Sequence, residues 1–369
     1  MNDSDLATHL RECIQKVATG PEYSKDLSED EAYKAMRALL LEEVDPVQSA
    51  IYLIALRMKR ETPAENRGTL QALLDSAVLS TAALDEVVDI ADPYNGYARG
   101  VPVSSFVPAV LAALDVPTVL HGVAEVGPKY GVTPHQVLQA AGLNVELSPA
   151  AATRQLEQIG WTYIDQSQFA PKLHALIPLR ERMVKRQVLN TVETLLAPIR
   201  GHVRTHHLSG YVHKAYPALY ADLAQYNGLA SALFVRGVEG SMVPSLQQSG
   251  RAFYYHGEQV LQQWEVSPSD SGIQANTRAI PLPEHLVAAS GYEPAIKRHV
   301  QQQAVAKYTA AMGLAALQGE RGLMYDSLVY AVAIVLTHLG RATTLAAAAG
   351  QVRNVLDQGS ALARLQAGA

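Results

Sequence analysis

Cysteine is almost missing from this chain of 369 residues: Cys13 stands alone. That excludes an internal disulfide and any zinc site built from thiolates. No stretch approaches the ~20 apolar residues needed to cross a bilayer. The most apolar late run, Leu328 to Leu339, carries Tyr330 and His338 and reads as a buried helix. The start of the chain has Asp3, Ser4 and Asp5 where a signal peptide needs basic residues and an apolar run, so a cytoplasmic protein is expected. Excess positive charge is also lacking. A net charge of −5 argues against coating nucleic acid or an anionic membrane with the whole surface, and leaves a local basic patch open. There is no internal repeat and no low-complexity linker. What the chain does have is apolar bulk, 48% hydrophobic against 18% charged residues, enough to fold one large or two smaller cores.

The first eighty residues read as consecutive helices. Ser28 followed by Glu31 makes a capping box, and Asp45-Pro46 and Thr62-Pro63 each place a capping side chain before a proline. Beyond residue 80 short β-branched runs alternate with helical stretches. Strands are expected at Val87 to Ile90, Val116 to Leu120, Trp161 to Ile164, Ala230 to Val235 and Arg251 to Tyr255. Helices are expected at Ser105 to Leu114, after Thr133-Pro134 and Ser148-Pro149, and at Pro294 to Gln318, Leu323 to Leu339 and Thr343 to Leu365. The grammar is α/β: a small N-terminal helical domain, then a larger domain with a central mixed, mostly parallel sheet flanked by helices. The expected division is 1–80 for the helical domain, with helices contributed by 170–200, and 81–169 with 201–369 for the α/β domain.

The run Asp26 to Met36, Asp45-Pro-Val-Gln48 and Ile54 to Pro63 resembles the helical domain of anthranilate phosphoribosyltransferases and their nucleoside phosphorylase relatives. Weaker similarity continues through His121-Gly122, Phe169-Ala-Pro171 and Val235 to Gly240, nearly to the C-terminus. The resemblance implies ligands in a cleft between two domains and a homodimer joined through the helical domains. It also implies a glycine-rich pyrophosphate loop after the first large strand. Here that loop reads Ala91-Asp92-Pro93-Tyr94-Asn95-Gly96, with a lost N–H, an added charge and added bulk. Of the family's phosphate- and metal-holding asparagine and serine, only Ser104 matches; of its Lys-His-Gly-Asn motif, only His121 and Gly122. Its serine-rich phosphate loop becomes Gly127-Pro-Lys-Tyr-Gly131, where Lys129 can supply some of the missing charge. The magnesium-ligating Asp-Glu pair falls on Met242 and Val243, which offer no hard oxygen. No metal or other cofactor is expected, magnesium entering only if Glu239, Asp92 or Glu125 rebuilds a site.

Phosphoribosyl transfer is therefore expected to be lost or altered, with the cleft keeping a small anionic or aromatic ligand. By resemblance Arg180 faces the aromatic acceptor, Asn190 lies in the same helical stretch and His174 lies beside the base site; an arginine fork suits a carboxylate. Tyr94 and Tyr130 replace small residues and could stack on a ring. His202, His206, His207 and His213 flank a probable strand without an acidic companion at ligand spacing, so no metal site is assigned to them. The alternative is a dimer of the family's non-biosynthetic branch that binds single-stranded nucleic acid, favoured by the basic segment 180–214 and by Glu239-Gly240.

Overall fold

A computed structural model describes residues 3–20, 22–41, 44–286 and 293–369. Helices α1 (Asp3–Val17), α2 (Glu29–Leu39), α3 (Pro46–Lys59) and α4 (Pro63–Ser76) form the N-terminal layer. Their starts follow the capping chemistry: Ser28 Oγ accepts from Glu31 N while Glu31 accepts from Ser28 N, and Asp45 accepts from Val47 N at 2.7 Å. Thr62 and Glu65 form a second capping box.

The strands are β1 (Ser80–Thr81), β2 (Glu86–Ala91), β3 (Thr118–Gly122), β4 (Trp161–Asp165), β5 (Ile199–Arg200), β6 (Arg204–Gly210), β7 (Ser231–Val235), β8 (Gly250–His256) and β9 (Gln262–Val266). Among the described residues seven of them make one sheet in the order β4-β3-β2-β6-β7-β8-β9. The first five are mutually parallel, and β8 and β9 add antiparallel edges. This is the mixed, mostly parallel sheet that the alternating pattern implies.

Side chains alternate along the strands, and the two faces bury different partners. Val88, Ile90, Leu120, Leu233 and Val235 face the C-terminal helices α13 (Ala295–Leu317), α14 (Leu323–His338), α15 (Leu345–Asp357) and α16 (Ser360–Gln366). Val87, Val119, Ile164, Ala232 and Phe234 share the other core with α1 to α4. Leu328, Val332 and Leu336 of α14 are each at most 1% exposed, and burial of such side chains contributes about 1.5–3 kcal/mol apiece. Two further helices tie the layers together: α10 (Ile177–Met183) packs on α3, and α11 (Leu189–Val192) on α4.

Among the expected boundaries that move, two have plain backbone causes. The second large strand starts at Thr118, because Val116 N still bonds to Leu111 O of the preceding helix and Pro117 has no N–H for a ladder. The last expected helix is broken into α15 and α16 at Gly359, whose φ of +70° is left-handed and ends the first helix. No helix among the described residues is long and apolar enough to cross a membrane.

Candidate functional site

Parallel strands end together, and ligands of open α/β sheets bind beyond those carboxyl ends. Here the ends of β2 and β6 meet α3, α11 and helix α12 (Tyr216–Tyr226) around a cleft of about 750 Å³, counting its open mouth. Its floor is set by a close approach: a Cβ on Gly210 would lie 1.9 Å from Ser241 O, so only glycine lets the 237–243 turn cross there. Tyr211, Tyr216 and Tyr220 give the wall an aromatic side, with Tyr216 and Tyr220 rings 5.3 Å apart. Arg57 of α3 and Arg186 give it a cationic one. Arg186 is exposed and makes no ion pair among the described residues; Arg57 meets Glu61 at a loose 3.6 Å.

The anionic groups of the wall are already matched. Glu193 takes a two-pronged bond from Arg180, 2.7 Å on each arm, with Gln166 Nε2 donating at 3.1 Å. Glu239 accepts from Ala98 N at 3.0 Å and Arg99 N at 2.7 Å, and pairs with Lys129 Nζ at 2.5 Å. Burial alone would raise its pKa, but Lys129 and the two N–H groups hold the Glu239 carboxyl below the usual range. Burial also lowers the Lys129 ammonium against the pull of Glu239. Glu239 sits at φ 58°, a conformation that disfavours side chains, on the turn that brings its carboxylate to this cradle. Two consecutive N–H groups beside a lysine form an anion nest, and a carboxylate of the chain itself fills it.

Beneath the cleft lies a polar chain. Asp89, His121, His207 and Ser209 all fall on the sheet face that looks toward α1 to α4, because each is two residues from its neighbour of the same kind along the strand or is paired across it: Asp89 with His207, Ala91 with both His121 and Ser209. His207 Nδ1 is 2.8 Å from Asp89 Oδ2, and His207 Nε2 is 3.1 Å from Ser209 Oγ. His121 Nε2 stands 3.3 Å from Asp89 Oδ1, near enough to attract but not aligned for a hydrogen bond, and its Nδ1 meets the Tyr94 hydroxyl. Burial opposes ionisation of Asp89, yet the two imidazoles hold its carboxyl well below the usual range. Both ends of this chain, Ser209 and Tyr94, line the cleft.

Of the site residues expected from the sequence, Tyr94, Asn95 and Asn190 lie on this wall; Asn190 Oδ1 also accepts from Gln187 N. The others are placed differently. Arg180 is 1% exposed and committed to Glu193, so its fork does not face a ligand. Asp92 is buried beneath Tyr97 and Ser104, which both donate to Oδ2, and burial pushes its pKa up to about 6. Ser104 is spent in the same contact. His121 is covered and Gly122 lies beside the Tyr163 hydroxyl. Gly96 turns the loop at φ +71° against Gly131. Lys129 is neutralised by Glu239. One face of the Tyr130 ring is covered by the Arg298 guanidinium 4.0 Å from its centroid, and the residue is buried at 5% exposure. His174 is half-buried away from the cleft wall. His206 and His207 sit within β6 and do have acidic companions, Glu86 and Asp89, supplied by the neighbouring strand. Arg57, Ser209 and the Glu239 cradle carry no local sequence signal, because cross-strand register and the approach of α3 bring them to the wall.

The implied metal fits poorly. Met242 and Val243 are 1% and 7% exposed and belong to the apolar core. The three carboxylates that could rebuild a site are engaged elsewhere, Glu239 with Lys129, Asp92 with two hydroxyls and Glu125 with Arg298. No group of three His, Cys, Asp or Glu side chains among the described residues is arranged to hold a metal ion.

Comparison with known families decides the lineage. The helical bundle domain of a glycosyl transferase family matches residues 11–77, and the a/b domain of a glycosyl transferase family matches residues 96–280. The chain belongs to this glycosyl transferase family, as an anthranilate phosphoribosyltransferase-like member. It is 27% identical over 367 residues to a protein of Desulfotalea psychrophila named anthranilate phosphoribosyltransferase, covering 97% of this chain and 95% of that one. One of the same name from Methanothermobacter marburgensis is 31% identical over 229 residues, 61% of this chain and 63% of its own. The fold is that of anthranilate phosphoribosyltransferase from Thermus thermophilus, with a TM-score of 0.73, 21% identity and 97% of each chain covered. It is equally that of the Saccharomyces cerevisiae enzyme in complex with PRPP and Mg, with a TM-score of 0.77, 17% identity, and 98% of this chain and 97% of that one covered.

Proposed function

We propose that this glycosyl transferase family member binds a small anionic, ring-bearing ligand in its cleft and does not carry out magnesium-dependent phosphoribosyl transfer. The observation that carries the reading is Glu239, whose carboxylate takes the N–H groups of Ala98 and Arg99 and the ammonium of Lys129. By resemblance, the family holds pyrophosphate on the loop that here runs from Ala91 to Gly96, just before Ala98 and Arg99. A second anion there would meet an occupied nest and a like charge. With Met242 and Val243 at the metal positions, no carboxylate is left there to hold the magnesium that offsets a diphosphate leaving group; loss of such stabilisation costs several kcal/mol, on the order of 10²- to 10⁴-fold in rate.

The cations on the wall are Arg186, which makes no ion pair among the described residues, and Arg57, which meets only Glu61 at 3.6 Å, beside three tyrosines. That combination suits an aromatic carboxylate: a ring against tyrosine, a carboxylate on a guanidinium fork. Benzoate and anthranilate are the probes. Either should raise the melting temperature in the absence of magnesium and phosphoribosyl pyrophosphate, and Arg186→Ala should weaken the effect about tenfold, ~1.4 kcal/mol. Equal affinities in parent and variant remove the ligand from this wall.

A second reading draws on the surface. Arg182, Lys185, Arg186 and Lys214 are exposed and unpaired among the described residues, and Arg186 with His213, the neighbour of Lys214, lines the cleft. Such a basic rim favours single-stranded nucleic acid as a partner, with affinity falling steeply with salt. No anisotropy change of a labelled oligonucleotide at low salt disposes of this reading. We further propose a cytoplasmic homodimer joined through α3, whose Val47, Ile51 and Met58 are 60%, 40% and 76% exposed on one helical face.

A further inference from the structure

Ser209 ends a relay of buried polar groups beneath the cleft. Its hydroxyl lies 3.1 Å from His207 Nε2, and His207 Nδ1 lies 2.8 Å from Asp89 Oδ2. Asp89 and His207 are fully buried and Ser209 is 2% exposed, its one open side the cleft wall. Beside an ionised carboxylate, imidazole carries its proton on Nδ1 and leaves the Nε2 lone pair to accept from the serine. The strand enforces the geometry: residues 207 and 209 point to one face, and register sets Asp89 directly opposite His207. This is the order hydroxyl, imidazole, carboxylate that activates a serine.

The geometry points to Ser209 as a base-activated nucleophile toward an ester that bears a negative charge. The inference rests on the cleft being the ligand site, with Arg57 or Arg186 holding the anionic group. Ser209 Oγ bonds to the carbonyl carbon as its proton passes to His207 Nε2. The tetrahedral adduct collapses, the C–O bond to the alcohol breaks, and His207 returns the proton to the departing alkoxide. Solvent water, deprotonated by the same nitrogen, then adds to the acyl-serine and releases a carboxylic acid and free Ser209. Asn95, whose side-chain amide makes no hydrogen bond among the described residues, lines the same wall and offers an N–H to the developing oxyanion. Asp89 is a positioning residue, holding the tautomer. His121 shares its other oxygen and ties the relay to Tyr94.

The test is covalent labelling of the full chain by a fluorophosphonate, followed by intact mass and peptide mapping, with benzoate binding measured on the same samples. Wild type should gain one adduct, on Ser209. Ser209→Ala should gain none there, and His207→Gln should label roughly 10²-fold more slowly with a flat pH profile. A folded wild type that binds benzoate but carries no adduct on Ser209 overturns this inference alone. His207→Gln labelling at the parental rate does the same, since the serine would then owe nothing to the base. Absence of benzoate binding overturns the cleft reading instead.

Discussion

Replacing Arg180 by methionine separates a structural arginine from a ligand-binding one. Arg180 and Glu193 are 1% and 0% exposed and share two bonds of 2.7 Å. Without the guanidinium, Glu193 keeps only the Gln166 amide at 3.1 Å. A buried charge stripped of its partner costs about 3–5 kcal/mol. Unfolding entropy near 2.1 cal/mol/K per residue gives about 0.8 kcal/mol/K for 369 residues. The melting temperature by scanning calorimetry should therefore fall by about 4–6 °C. Combining Arg180→Met with Glu193→Gln removes both charges while leaving Gln166 a partner, and should recover most of the loss. A shift under about 1 °C in the single variant, or a double variant as unstable as the single one, refutes the reasoning.

Asp92→Asn should alter pH dependence. The folded pKa, about 6, lies above the ordinary 3.8 because burial disfavours the charge. The carboxyl thus favours folding fully below about pH 3.8, and that contribution is lost as pH rises through about 6. Two units correspond to roughly 3 kcal/mol, so between pH 4 and pH 8 the stability difference should move in the variant's favour by up to that amount in urea titrations. Glu239→Ala frees two N–H groups and Lys129, and should raise affinity for inorganic pyrophosphate at least about tenfold by calorimetry; unchanged affinity means the nest is not an anion site.

The fold was largely legible because its signals are local. Caps at Ser28, Asp45 and Thr62 announce helices, and β-branched runs announce strands. The misplacements at Val116 and Gly359 lie where backbone geometry overrides a continuous apolar pattern. The site was less legible. The partners that silence Arg180 and Lys129, Glu193 and Glu239, are visible in the sequence, but their pairing is a tertiary fact. His207 finds Asp89 across 118 residues of chain only through the register of β2 with β6. Departures from a family's motif showed which chemistry to doubt. They did not show what the replacing residues do instead, because that depends on neighbours brought from other strands.

The proposed loss of phosphoribosyl transfer rests on Glu239 occupying the N–H groups of Ala98 and Arg99 and on Met242 and Val243 standing at the metal positions. Calorimetric titration of phosphoribosyl pyrophosphate into the wild-type protein, with and without magnesium, tests it most directly. No heat of binding in either case is the result predicted here. Micromolar affinity that requires magnesium would contradict it.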